Sequence, residues 1–94
     1  MQKVGRHQQA RIAHTIGRYI IDNILFGDED KLHETVSFQE SGIIDSLGFL
    51  ELITFVEEEY GLEIADQELI PENFDTLQKV SGFVEKKLSG ETGV

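Results

Sequence analysis

The spacing of apolar residues constrains the fold of this chain more than any other feature of the sequence. In three segments the apolar side chains recur every three or four residues, the repeat of one face of an α-helix, and no convincing segment alternates apolar with polar residues as a half-buried strand does. The first predicted helix runs from Gln9 to Leu25, the second from Asp45 to Tyr60, and the third begins after Asp75. The sequence therefore predicts an all-α protein.

Each predicted helix has one apolar face that would pack against the others. These faces consist of Ile12, Ile16, Tyr19, Ile20 and Ile24 in the first helix, Phe49, Leu52, Ile53, Val56 and Tyr60 in the second, and Leu77, Val80, Phe83, Val84 and Leu88 in the third. A short fourth helix is expected near Pro71–Phe74, because proline suits the first helical position. The predicted architecture is a four-helix bundle of three longer helices and one short helix.

Residues at the helix ends fit these predicted boundaries. Asp45 is suited to be the N-cap of the second long helix, because its carboxylate can accept a hydrogen bond from a free backbone N–H of the first turn. Asp75, with Gln78 three residues later, resembles a capping box at the start of the last helix. Gly27 and Gly61 follow the first and second helices, where glycine commonly ends a helix.

The length of 94 residues favours one small domain with a modest core. We expect this domain to span residues 10–88, between a flexible basic stretch at 1–9 and a flexible tail at 89–94. The polar connection at 28–42 is long for a small bundle, so it is either functional or packed down locally by Leu32, Val36 and Phe38.

Charge is unevenly distributed along the chain, whose net charge is -10. Residues 1–20 contain four basic residues and no acid, whereas residues 21–94 contain 18 acids and four basic residues, and none of these basic residues lies between Glu40 and Asp75. Such a surface repels the phosphates of nucleic acids and attracts basic patches on proteins, with an affinity that falls as salt rises. Solubility alone would also explain a run of surface acids.

Several classes of site are disfavoured by the composition. The chain has no cysteine, which excludes disulfides and cysteine-ligated zinc, and no histidine pair stands at the usual spacing of a metal site. The acidic run Asp28-Glu29-Asp30 lacks the glycine and the closing acid of a calcium loop, because His33 and Gln39 occupy those positions. No metal site is predicted. The absence of a long apolar segment predicts a cytoplasmic protein that does not insert into a membrane.

The run Asp45-Ser46-Leu47 places one serine at the start of an acidic amphipathic helix, where free backbone N–H groups and the helix dipole favour an anion. A serine hydrolase would need a glycine two residues before this serine and a suitably placed base. Ile44 occupies the glycine position, and all three histidines precede Ser46 in unrelated segments. We therefore interpret Ser46 as an attachment point.

On this run, the following Glu51-Leu52 and the acidic segment 57–61, the chain resembles acyl carrier proteins of the phosphopantetheine-binding family. The resemblance spans Ile12 to Leu88. It implies a non-catalytic, monomeric carrier whose Ser46 receives 4'-phosphopantetheine from coenzyme A through a magnesium-dependent phosphopantetheinyl transferase. The terminal thiol of that arm would hold acyl intermediates as thioesters and deliver them to enzymes of fatty acid, lipid or specialised acyl biosynthesis.

The resemblance also assigns surface residues to partners. It implies that the transferase contacts Asp45 and Leu47, and that Glu51, Glu57 and Glu58 meet basic docking patches of acyl-loading and acyl-transferring enzymes. Helix capping alone would also explain Asp45. Leu47 lies off the apolar stripe of its helix, which favours an exposed contact over a core position.

Seven apolar residues are candidates for a cavity that would hold the acyl chain: Leu52, Phe55, Val56, Phe74, Leu77, Val80 and Phe83. The same spacings are common in a plain hydrophobic core, so the sequence leaves that alternative open.

Departures from the family pattern leave the cargo open. Carriers of central fatty acid synthesis commonly have alanine before the Asp-Ser-Leu motif and an acid after it, where this chain has Ile44 and Gly48, and Thr54 replaces an apolar contact. This pattern is more similar to free-standing carriers of specialised pathways. The alternatives are an aminoacyl, D-alanyl or peptidyl carrier, and an unmodified acidic helical adaptor that recruits basic partners.

Overall fold

The structure is a computed structural model that describes residues 6–90, and this part of the chain is all-helical. Its α-helices are α1 (Arg6–Asn23), α2 (Phe38–Ser41), α3 (Ser46–Tyr60), α4 (Pro71–Phe74) and α5 (Leu77–Ser89), with single 3₁₀ turns at Glu29–Lys31 and Asp66–Glu68. The all-α prediction is confirmed. The described residues contain three long and two short α-helices, so the predicted count of four was one too low.

The helix that the sequence did not predict is α2, which is too short to show an apolar repeat. Its N-cap is Ser37, whose hydroxyl accepts a hydrogen bond from the backbone N–H of Glu40 at 3.0 Å. Phe38 anchors the helix because its side chain is buried at 3% exposure. A serine followed three residues later by glutamate is a recognised start signal for a helix, so the sequence did contain a local clue.

The core forms where α1 and α5 pack side by side in opposite directions. Gly17, in the second half of α1, lies against Leu77 at the start of α5, whereas Gly82 lies close to Gln9 near the start of α1. The buried core comprises Ile12, Ala13, Ile16, Ile20, Ile21, Leu25, Phe38, Ile44, Leu52, Ile53, Val56, Phe74, Leu77, Val80, Phe83 and Val84. This arrangement holds the ends of α1 and α5 in fixed positions relative to α3.

Two details of α5 differ from the prediction. Its N-cap is Thr76, whose hydroxyl accepts from the backbone N–H of Lys79 at 3.0 Å, and not Asp75, which ends α4 in helical backbone geometry. Leu88 was predicted on the buried face but is 41% exposed. The inner side of that last turn is taken by Lys87, whose ammonium lies 5.7 Å from the centre of the Phe83 ring.

The remaining boundaries are close to those predicted. Helix α1 begins at Arg6, three residues before the predicted start, and ends at Asn23, two residues before the predicted end. Helices α3 and α4 have the predicted bounds. Of the two terminal segments predicted to be flexible, residues 1–5 and 91–94 lie outside the described residues, and the domain limits stay a prediction. No helix in residues 6–90 is long and apolar enough to cross a membrane.

Candidate functional site

Ser46 is exposed at the first position of α3, immediately after its N-cap. The cap is Asp45, as predicted: its Oδ1 accepts from the backbone N–H of Gly48 at 2.8 Å, and its carbonyl oxygen accepts from that of Phe49 at 2.8 Å. The first N–H groups of a helix have no acceptor within the helix and carry its positive dipole end. The hydroxyl of Ser46 therefore projects from a position that stabilises a negatively charged substituent.

Gly48 allows the end of α1 to pack closely against this first turn of α3. A side-chain carbon placed on Gly48 would lie 3.3 Å from Ile44 Cγ2 and 3.4 Å from Ile24 Cγ2. Both separations are tight for a carbon–carbon contact. The Oδ1 atom of Asp45 is also 3.3 Å from this point, so a side chain at position 48 would require these neighbours to shift by a few tenths of an ångström.

A groove of about 500 Å³ opens beside Ser46, between the start of α3 and segment 69–75. Ser46 and Asp45 line it together with apolar side chains, including Ile44, Phe49, Leu50, Leu69, Ile70 and Phe74. A groove with an apolar lining and a few polar groups suits an extended ligand with an apolar portion. The structure thus places an apolar surface directly next to the exposed hydroxyl.

The residues predicted to line a cavity do not form this groove, with the exception of Phe74. Leu52, Val56 and Val80 have no exposed surface and form part of the core, which also includes Leu77 and Phe83. Phe55 is on another side of α3, where its ring stacks on Tyr19 with 4.1 Å between centroids. The repeat of these residues every three or four positions reflects the packing of helix faces in the core. That an acyl chain opens this core stays a prediction.

One wall of the groove is held in place by Asp75. Its Oδ2 accepts from the hydroxyl of Ser37 at 2.6 Å and its Oδ1 accepts from the backbone N–H of Gln39 at 3.1 Å. The carbonyl oxygen of Asp75 also accepts from the N–H of Phe38 at 2.7 Å. These three bonds connect α2 to the junction of α4 and α5 through backbone as well as side-chain groups, and they fix segment 69–75 on one side of the groove.

The surface residues predicted from the sequence fall into two groups. Leu47 is 66% exposed, in line with its position off the apolar stripe, and Glu51 and Glu58 are also exposed. Glu57 is half-buried instead, and its Oε2 accepts from the backbone N–H of Ile64 at 2.9 Å. Glu57 therefore stabilises the turn after α3, in addition to any role in binding a partner.

The exposed acids of α3 influence the neighbouring face of α1. Tyr19 is half-buried there, and burial raises the pKa of its phenol above the usual 10.0. The negative charges of Glu51 and Glu58 raise it further, because they disfavour a second anion nearby.

Sequence reasoning did not single out three exposed apolar residues: Leu50, Ile70 and Phe26. Leu50 is 59% exposed and Ile70 is 42% exposed, and both line the groove. Phe26, after the end of α1, is 87% exposed. The exposure of Leu50 could have been predicted from the sequence. Leu50 stands three residues after Leu47, and residues three apart lie on the same face of a helix.

The side chains that could ligate a metal are dispersed in the described part of the chain. Within it, no three histidine, aspartate or glutamate side chains come together in a group that could hold a metal ion.

Comparison with known proteins adds evidence from outside the structure. A family described as "Phosphopantetheine attachment site" matches residues 23–84. The acyl carrier protein of Thermosynechococcus vestitus is 35% identical over 86% of this chain and 96% of its own length. That of Bdellovibrio bacteriovorus is 40% identical over 64% of this chain and 74% of its own. The D-alanyl carrier protein of Abiotrophia defectiva is 33% identical over 57% of this chain and 68% of its own.

Proposed function

Because the chain belongs to the phosphopantetheine-binding family of acyl carrier proteins, we propose that Ser46 is the residue to which its 4'-phosphopantetheine is attached. The protein is a non-catalytic carrier with this group bound covalently. The thiol at the end of the group supplies the thioester chemistry. The chain itself provides the attachment site for this group, the surface that partner enzymes would recognise, and an apolar groove that would shelter the cargo.

The exposure of Ser46 at the first position of α3 carries the assignment. Its hydroxyl is accessible to an enzyme, and a phosphodiester formed there would lie at the positive end of a 15-residue helix. Asp45 fixes the first turn by capping it, so the hydroxyl has a defined position. Ser46 also lies within the matched segment 23–84.

The groove beside Ser46 supports a role in sheltering the cargo. Its apolar wall includes Ile70 and Phe74, and Ser46 itself lies on its lining. Burying an apolar chain there would remove that chain from water, which stabilises the bound state by about 25 cal/mol per Å² of apolar surface. We infer that this groove can receive an apolar part of the group attached to Ser46 or of its cargo.

The cargo is an acyl group in our proposal, delivered to enzymes of fatty acid, lipid or specialised acyl biosynthesis. The similarity to the acyl carrier protein of Thermosynechococcus vestitus covers 86% of the chain, against 57% for the D-alanyl carrier protein. The similarity to the D-alanyl carrier protein makes an aminoacyl or D-alanyl group the alternative cargo. Partner enzymes would meet the exposed Glu51 and Glu58 with basic patches, and the carrier would act as a monomer.

Intact-mass analysis tests the attachment site. The protein is incubated with coenzyme A, magnesium and a broad-specificity phosphopantetheinyl transferase, and fragmentation then locates any adduct. We expect one phosphopantetheine on Ser46 and none on Ser46→Ala, which should keep the helical content of the wild type because alanine is a good helix former. Ser41→Ala is the matched control, since Ser41 is an exposed serine at the end of α2, and it should be modified normally.

Two results would contradict this proposal. A folded wild-type protein that stays unmodified would favour the unmodified acidic adaptor, and an adduct at another serine would relocate the site.

In the modified sample, amide resonances of the groove residues Leu69 and Ile70 should shift when an acyl chain is loaded. Shifts confined to residues 45–47 would mean that the groove does not shelter the cargo.

A further inference from the structure

Phe26 has two unfavourable features in the folded chain: its backbone conformation and the exposure of its side chain. Its backbone is left-handed, with φ of 54°, and it is the one residue other than glycine with positive φ in residues 6–90. Its side chain is also 87% exposed. Left-handed backbone is unfavourable for a residue with a side chain, and an exposed aromatic ring gains nothing from burial. Neither feature contributes to the stability of the fold.

The local backbone explains how this conformation is held. The N–H of Gly27 donates to the carbonyl oxygen of Ile21 at 2.7 Å, and Phe26 holds the left-handed position within the turn that this bond closes. Glycine usually fills that position. Helices α2, α3 and α5 follow the rule with Gly42, Gly61 and Gly90. Only α1 presents a large apolar side chain at such an end among the described helices.

Phe26 lies at the same end of the molecule as Ser46. Ile24 lies only two residues before it and contacts the first turn of α3 beside Gly48. The Cα atom of Phe26 is therefore within about 7.6 Å of that of Ile24, because consecutive Cα atoms are 3.8 Å apart. Leu47 and Leu50, 66% and 59% exposed, project from this part of α3. We call Phe26, Leu47 and Leu50 the Phe26 surface.

Acidic residues surround this surface. Asp28, Glu29 and Asp30 follow Phe26 in the chain after Gly27, and Lys31 is the one lysine or arginine between Arg18 and Lys79. Lys31 lies 3.7 Å from Asp28, which leaves the other two acids without a basic partner within their own turn. An apolar centre with an acidic rim is complementary to an apolar pocket with a rim of lysine and arginine.

We propose that Phe26 docks into such a pocket on the phosphopantetheinyl transferase that modifies Ser46. This inference depends on the proposed function. An enzyme acting on the Ser46 hydroxyl must cover the surface around it, and a standard interface occupies about 800 Å² on each partner. Buried aromatic residues commonly provide much of the binding energy in such contacts. A second copy of this chain or an anionic membrane would instead bring like charges together.

Steady-state kinetics of modification test this role with Phe26→Gly. We measure the KM and kcat for the unmodified carrier with a broad-specificity phosphopantetheinyl transferase, coenzyme A and magnesium. KM should rise about tenfold with kcat nearly unchanged, because a contact remote from the reacting atoms contributes uniform binding. The melting temperature should stay equal or rise, because glycine suits the left-handed backbone. Phe26→Tyr, which keeps the ring, should retain most of the wild-type KM.

Leu88→Ala is the matched control. Leu88 is also an exposed apolar residue, but it lies in the last turn of α5, next to the start of α1 and away from Phe26. Its loss should leave KM unchanged. The same measurement in increasing sodium chloride should raise the wild-type KM, since the acidic rim is screened.

Each contrary result has a distinct meaning. An unchanged KM in Phe26→Gly, with normal modification of the wild type, would overturn the docking role and leave the attachment site intact. Failure of the wild type to be modified would overturn the proposed function itself. A lowered melting temperature in Phe26→Gly would give Phe26 a packing role instead. Light scattering that finds a wild-type dimer and a monomeric Phe26→Gly would identify a second copy as the occupant.

Discussion

Asp45 has a structural role that is independent of any partner. Its Oδ1 accepts from the backbone N–H of Gly48 at 2.8 Å, which satisfies one of the unpaired donors at the start of α3. The residue is nevertheless exposed, so the charge of its carboxylate is accessible to a basic group on another protein. Capping is observed and recognition by a partner stays a prediction, and substitutions at Asp45 can separate the two roles.

Replacing Asp45 by alanine or by asparagine separates its capping role from any recognition of its charge. Asp45→Ala should lower the free energy of unfolding by about 1 kcal/mol, because the cap is lost. Asp45→Asn should keep the stability, since its amide oxygen can cap equally well. If the transferase reads the charge, Asp45→Asn should still lower kcat/KM for modification severalfold. Denaturant unfolding and modification kinetics provide the two measurements, and normal modification of Asp45→Asn would reduce the residue to a cap.

Sequence reasoning succeeded at the residue scale where the deciding contacts are local. The N-cap role of Asp45 and the exposure of Leu47 follow from positions within one or two turns of α3. Thr76 was missed as the cap of α5 because Asp75, next to it, also has a capping side chain. Asp75 is used elsewhere, by Ser37 and Gln39, and that choice depends on a segment more than 35 residues away.

At the scale of elements, the connection between α3 and α4 is held by carboxylates rather than by regular structure. Glu57 Oε2 accepts from the N–H of Ile64, and Glu68 Oε1 accepts from that of Ala65, each at 2.9 Å. Glu68 also binds Lys87 of α5, with both carboxylate oxygens 3.1 Å from Nζ. These bonds connect the segment after α3 to the last turn of α5.

The acid sensitivity of this connection can be measured with Glu68→Gln. The hydrogen bond from Ala65 N–H, reinforced by Lys87, holds the pKa of Glu68 below its usual 4.5. A lowered folded-state pKa gives stability that is present above the usual value and is lost as the pH falls through the lowered one. The wild type should therefore lose its stability advantage over Glu68→Gln as the pH falls from about 6 to about 3.

Thermal unfolding across that pH range is the measurement for Glu68. Glu72→Gln provides the control, because Glu72 is an exposed acid in the first turn of α4. Its difference from the wild type should vary less with pH. A difference between wild type and Glu68→Gln that stays constant over the range would mean that Glu68 does not stabilise the fold through its charge.

At the scale of the whole molecule, negative charge dominates. The net charge is -10, and between Arg18 and Lys79 the chain has a single basic residue, Lys31. Glu51, Glu58 and several other acids are exposed, so their mutual repulsion acts mainly through solvent. The same negative charge that destabilises the folded state through self-repulsion would attract basic protein surfaces at long range.

Salt should therefore stabilise the protein. We expect the melting temperature to rise as sodium chloride increases to about 0.3 M, because screening weakens repulsion among exposed acids. Glu58→Gln removes one of these charges and should show a smaller rise. Thermal unfolding followed by circular dichroism is the measurement, and a melting temperature independent of salt in the wild type would contradict this description of the surface.

The sequence by itself determined the all-helical class, the bounds of α3 and the place of Ser46 at its start. The repeat of apolar residues, the capping residues and the proline depend on interactions among a few neighbouring residues. They therefore predict helices without knowledge of the fold. The tertiary structure decided which apolar residues line the groove and which fill the core. It also fixed the inward position of Lys87, the use of Asp75 and the contact of Ile24 with the first turn of α3, since each depends on contacts between segments distant in the chain.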